Sequence, residues 1–161
     1  YARSLCLVGS EMCIRDSNEG EFNQLTYWMN RQIIDDYPLE LVSPVDWTDD
    51  SQNINDRVRS YLDVNCGHCH SPTGNANSTG LYLHLDETRD IHLGLYKKPV
   101  ATGRGSGGLK YSIVPGKPDE SILLHRMISL DPGVMMPESG RALSHTEAVE
   151  MVREWILVME D

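Results

Sequence analysis

The stretch Val64-Asn65-Cys66-Gly67-His68-Cys69-His70 constrains this chain more than any other. Two cysteines and two histidines crowd into its last five positions, and some chemistry has to use them. A structural zinc, a redox dithiol and a haem tethered through its vinyl groups all use cysteines at such spacing.

A closed zinc site takes four ligands, usually as two spaced pairs. Here Gly67 and the one-residue spacings of His68 and His70 make a single tetrahedral cluster awkward. A redox dithiol calls for a thioredoxin-like βαβ context, and that pattern is missing. In Cys-x-x-Cys-His, by contrast, the two thiols add to two vinyl groups and the following histidine lies beneath the iron. The spacing therefore favours one c-type haem held by Cys66 and Cys69, with His70 as its proximal iron ligand.

Cys6 and Cys13 do not extend this set. The segment LVGSEMCIRDS, Leu7 to Ser17, reads as a translated sequencing-library adapter. Residues 1–17 are accordingly set aside as non-native. Arg3, Glu11, Arg15 and Asp16 leave with them, so the net charge stays at −10. Cys6 and Cys13 are expected to pair with no other cysteine. Residues 18–50 read as the remnant of an upstream region and its linker, and 51–161 as the functional domain. The native N-terminus is expected to be missing, and no membrane span is evident. A strongly acidic balance argues against nucleic acid and points to a basic partner surface.

Apolar residues at Phe22, Leu25, Trp28, Met29 and Ile33 give 21–37 a helical period. Pro38 and Pro44 bracket an extended linker. A second helix runs from about Asn55 to the cysteines, with Val58, Tyr61, Leu62 and Asn65 on one face and Asn55 or Asp56 as cap. Ser71 to Gly80 is dense in turn residues. Leu81, Leu83 and Leu85 then alternate with polar neighbours, a short strand signal. GRGSGG, Gly103 to Gly108, is a flexible loop without the Lys-Ser/Thr of a phosphate-binding loop. Pro118 opens a helix carrying Leu123, Met127 and Leu130, closed by Asp131-Pro132-Gly133. Ser144-His145-Thr146-Glu147 reads as a capping box before a last helix with Ala148, Val152, Trp155, Ile156 and Met159 as its stripe. The fold class is mainly α, with long loops between short helices, as expected where loops wrap a group.

An iron with one histidine has a sixth position to fill. Met127, Met151 and Met159 sit on helical stripes and read as core. Met136 lies in a glycine- and proline-rich loop directly before Pro137, and is the preferred distal ligand. Met135 and a distal histidine are the alternatives. His84, His92, His125 and His145 read as surface or hydrogen-bonded residues, and Arg104, Lys110 and Tyr111 as propionate contacts or solvated loop. The helices near 55–68 and 145–159 should cross, with Tyr61, Leu62, Trp155 and Ile156 at the crossing.

VNCGHCH, TGLYLHLD, GRGSGGLKYSIVPGKPDESILLHRM, DPGVMMPE and a terminal helix ending in Trp155-Ile156 together resemble a bacterial c-type cytochrome domain. Over about residues 21–161 the chain is similar to the C-terminal part of a family of bacterial di-haem cytochromes. In that family a second haem motif precedes an Asn-Gln-Leu segment, matched here by Asn23-Gln24-Leu25; truncation at the adapter accounts for its absence. The resemblance implies a cytochrome c-like helical fold and one haem c in this fragment. It implies Cys66 and Cys69 as thioether cysteines, His70 as proximal and Met136 as distal ligand. It also implies one-electron exchange with a redox partner protein in the periplasm or another extracytoplasmic compartment. A haem enzyme with a displaceable distal ligand, peroxidase-like or oxidase-linked, is the first rival. A zinc-stabilised structural module is the second.

Overall fold

The computed structural model describes residues 24–36, 44–138 and 140–160, and among these described residues there are five α-helices. They are α1 (Gln24–Asn30), α2 (Ile54–Leu62), α3 (Asp90–Leu93), α4 (Ile122–Ile128) and α5 (Thr146–Leu157). Among the described residues there is no strand, only two isolated bridges, Leu95 with Ile113 and Tyr111 with Ser121. No described helix is long and apolar enough to cross a membrane. Cys6, Cys13, the adapter-like segment and most of the 38–44 linker lie outside the described residues.

Helix α2 starts because the Asn53 side chain accepts the Asn55 amide at 2.8 Å. The cap is thus two or three residues earlier than the sequence suggests, which frees Asn55 for another bond. Val58, Tyr61 and Leu62 are buried on the face the periodicity marks. Across them lies α5, which buries Ala148, Val152, Trp155 and Ile156. Two polar clasps fix the crossing. The Trp155 indole N–H donates to Asn55 Oδ1 at 3.1 Å, and Tyr61 Oη meets His145 Nδ1 at 3.0 Å. Trp47 closes the second clasp edge-on, 5.5 Å from Tyr61 and 5.1 Å from His145 between ring centroids.

Helix α4 is seven residues long, too short to persist in isolation. It persists because Leu124 and Met127 enter the same core as α2 and α5. The run Val114-Pro115-Gly116-Lys117-Pro118 delivers it there. Gly116 takes φ +70°, a left-handed turn that favours glycine. Its amide donates to the Ile156 carbonyl at the end of α5. Ser121, fully buried, accepts the Val114 amide and donates to the Lys117 carbonyl, stitching the turn shut. Pro118 opens a 3-10 turn, Pro118–Glu120, ahead of α4 itself.

Four expectations need correction. The first helix is shorter than 21–37, since Gln32 turns left-handed at φ +56° and leaves Ile33 64% exposed. Leu81 to Leu85 pairs with no strand; its amides go instead to the His70 carbonyl, the His92 carbonyl and the Asp63 carboxylate. Only Leu83 of the three leucines is fully buried. Leu130 lies beyond the end of α4 and is 57% exposed. The capping box does not form, because Ser144 Oγ donates to the Met127 carbonyl and α5 begins without a side-chain cap. GRGSGG winds into a 3-10 turn, Gly103–Ser106, with Gly105 buried.

Candidate functional site

The cysteine motif continues α2 as a π-helical turn, Asp63–Gly67. Widened turns of this kind recur at functional positions in helices. The amides of Cys69 and His70 both return to the Cys66 carbonyl, at 3.1 and 2.8 Å. One short turn therefore holds Cys66, Cys69 and His70, with both thiols free. Gly67 is buried against the 84–85 segment, where an added Cβ would come within 3.3 Å of the His84 backbone. The following loop folds back onto the motif: Ala76 donates to the Cys69 carbonyl, and a Cβ on Gly74 would sit 2.2 Å from that same oxygen. Only glycine passes there.

Burial pushes the Cys66 thiol up to about 12, with Cys69 adding to the effect. Redox dithiols work the other way, by lowering a thiol's pKa. The His70 ring lies below the ordinary histidine range, with burial the first cause; the Leu81 carbonyl opposes it, and Arg126 and His68 add to it. His70 Nδ1 is buried with no hydrogen-bond partner. A neutral imidazole is what a metal ligand requires. Among the described residues no three His, Cys, Asp or Glu side chains converge as a metal site, so His68 does not complete a zinc cluster with its neighbours.

Met136 arrives from a different part of the chain. Asp131 caps the amide of Gly133 and its carbonyl takes those of Val134 and Met135. The Met136 amide then donates to the Arg126 carbonyl at 3.0 Å, and Arg126 Nε donates to the Val134 carbonyl at 2.8 Å. Arg141 reaches across to the Met127 carbonyl at 2.7 Å and to those of Arg126 and Ser129. The Arg126 guanidinium thus ties the methionine loop to α4, while Arg141 satisfies carbonyls that the end of that helix leaves open. Met135 and Met136 are both half-buried.

Arg126 joins the two halves of the site. It acts electrostatically on His70 while its backbone and side chain hold the Val134–Met136 segment. Its guanidinium lies against Gly105, where a Cβ would approach to 3.3 Å. Sequence reasoning passed over Arg126 and Arg141; the signal was a basic residue in the last turn of α4, a position suited to binding terminal carbonyls. Arg104, read as a propionate contact or solvated loop, pairs with Asp131 at 2.9 Å. His92 and His145 are hydrogen-bonded as read, and His125 packs under Gly107. His84 Nδ1 is buried without a partner.

Two thiols on one turn with an imidazole beside them are donor types that a thioether-tethered haem uses. No protein-family model, curated protein or solved structure matches this chain.

Proposed function

We propose that this chain is a cytochrome c-like electron-transfer domain, carrying one haem c and passing single electrons to and from a partner protein outside the cytoplasm. The observation that carries this reading is the single turn presenting Cys66, Cys69 and a half-buried His70 whose buried Nδ1 is unpaired. The haem, when bound, supplies a one-electron iron couple. Cys66 and Cys69 anchor it as thioethers. His70 and Met136 are the residues that would hold its iron. Arg126 holds the Met136 loop in register, and Arg141 secures the end of α4 from which that loop departs. A methionine ligand favours the reduced state and raises the potential. Were both His70 and Met136 to ligate the iron, no position would be left for a substrate, and the chain would act as a carrier rather than an enzyme. A zinc module finds no support, since the Cys-His turn offers no converging ligand set.

Expression with c-type maturation machinery tests the reading. A denaturing gel stained for haem should show colour that survives denaturation, and the resting spectrum should be low-spin. Met136→Ala should abolish the weak long-wavelength sulfur-to-iron band and open a site for cyanide. It should lower the potential by on the order of 0.1 V, within the ~0.8 V that axial ligands span. Met135→Ala should keep the band. A high-spin resting state that binds carbon monoxide readily in the wild type would transfer the assignment to a haem enzyme.

A further inference from the structure

We infer that residues 91–118 form a basic docking face for an acidic surface of a partner protein; as an electron-transfer face it rests on the function proposed above. The chain carries −10, yet this segment holds five of its 14 basic residues and none of its 24 acidic ones. Lys97, Lys98, Lys110 and Lys117 are the only lysines in the sequence. Had lysines served general solubility, they would be scattered. The fold then gathers them. The bridge between Leu95 and Ile113, with Ser112 donating to the Lys97 carbonyl, sets 95–98 beside 110–113. Lys98, Lys110 and Lys117 are exposed.

A cleft of about 480 Å³ opens within this face, lined by Tyr96, Lys110, Tyr111, Val114, Lys117 and Glu120 among others. Its one acid, Glu120, is already paired with Lys117 at 3.3 Å. Tyr96 and Tyr111 meet edge to face, centroids 5.7 Å apart. Tyr96 takes φ +48°, a backbone region disfavoured for a bulky side chain, and its ring stays 46% exposed. An aromatic pair flanked by cations suits a partner's carboxylate-bearing side chains, because tyrosines supply interface anchors and lysines supply steering. The face also borders the proposed haem site. The Lys97 ammonium lies over Gly80, which closes the loop leaving the Cys-His turn, and the next residue, Leu81, turns its carbonyl on His70. The acidic remainder of the molecule repels an acidic partner and so orients it toward this side. That remainder also argues against a nucleic acid, which needs a broader cationic track.

The test uses the purified protein, its haem content read separately by absorption. Amine acylation followed by mass spectrometry reports on all four lysines at once. A hexaglutamate peptide should protect them severalfold at low salt and not at about 0.3 M salt, where charges are screened. Tyr96→Ala removes no charge and should weaken that protection about tenfold if the cleft is an anchor site. In haem-loaded protein, replacing the four lysines by glutamine should slow reduction by a reduced, acidic flavodoxin about tenfold at low salt. It should leave reduction by a neutral hydroquinone unchanged. Protection in a protein that takes up no haem even when made with the maturation machinery would sink the carrier reading and leave the docking face standing. Haem-loaded protein reduced equally fast with and without its lysines overturns the docking face. So does Tyr96→Ala without effect, a DNA oligonucleotide protecting as well as the peptide, or self-association that the lysine variants abolish.

Discussion

Glu87 is the most heavily engaged side chain outside the candidate site. Its buried carboxylate accepts the amides of Thr88 and Arg89, a two-pronged contact from Arg89 at 2.8 Å, and His92 Nδ1 at 3.2 Å. Arg59 braces the same turn by donating to the carbonyls of His84, Leu85 and Glu87. The Arg89 hydrogen bonds hold the Glu87 carboxyl far below the usual carboxylate range. A depressed folded pKa means that the ionised form stabilises the fold. That contribution is complete above the unfolded pKa of about 4.3 and fades as pH falls below it. Glu87→Gln should therefore cost about 1–3 kcal/mol at pH 7. The gap between wild type and variant, measured by urea unfolding, should narrow as pH drops below about 4. A gap that widens in acid would remove the ion-pair explanation. Gly74 makes a steric prediction at the same scale. Its missing Cβ leaves room for the Cys69 carbonyl, so Gly74→Val should displace the 71–80 loop and cut haem incorporation. A normal yield of haem-stained Gly74→Val protein would show that the loop can move aside.

At the scale of elements, the α2–α5 crossing holds the core together. Trp155→Ala should cost about 3–5 kcal/mol through lost packing alone. Burial holds Tyr61 up at about 12, with Cys66 adding and Arg141 opposing, so its phenol stays protonated in its hydrogen bond with His145 Nδ1. A double-mutant cycle between Tyr61→Phe and His145→Ala should return about 1 kcal/mol of coupling, read by denaturant midpoints. These two helices were legible in the sequence because their stripes repeat at the helical period and both faces end up in one core. Met127 and Met151 were legible as core for the same reason, and both are buried. The Cys-x-x-Cys-His turn was legible because its spacing is local. What escaped was decided by distant partners. Ser144 looks like a cap beside Glu147 and becomes a donor to Met127 because the 141–144 segment packs across the end of α4. The leucines at 81, 83 and 85 alternate like a strand, but the acceptors beside them belong to His70 and Asp63. Arg126 and Arg141 act on carbonyls, which leave no pattern in side-chain sequence.

At the scale of the whole molecule, charge has a distribution that composition hides. An acidic chain suggests a basic partner, while its four lysines all lie in one segment, the one proposed above as a docking face. Net charge reports a sum, whereas docking reads a distribution. The same scale gives the clasps between α2 and α5 a meaning in time. Asn55 with Trp155 and Tyr61 with His145 join residues 100 and 84 positions apart. A chain made from its N-terminus onward completes the cysteine motif well before α5 exists. At ~5–20 residues per second, the stretch from Cys69 to Thr146 takes ~4–15 s to synthesise. Throughout that interval the second half of the core is missing, so Cys66 lacks the partners it packs against there. The clasps therefore close last, and until the final helix arrives the cysteine turn goes without the packing that α5 supplies.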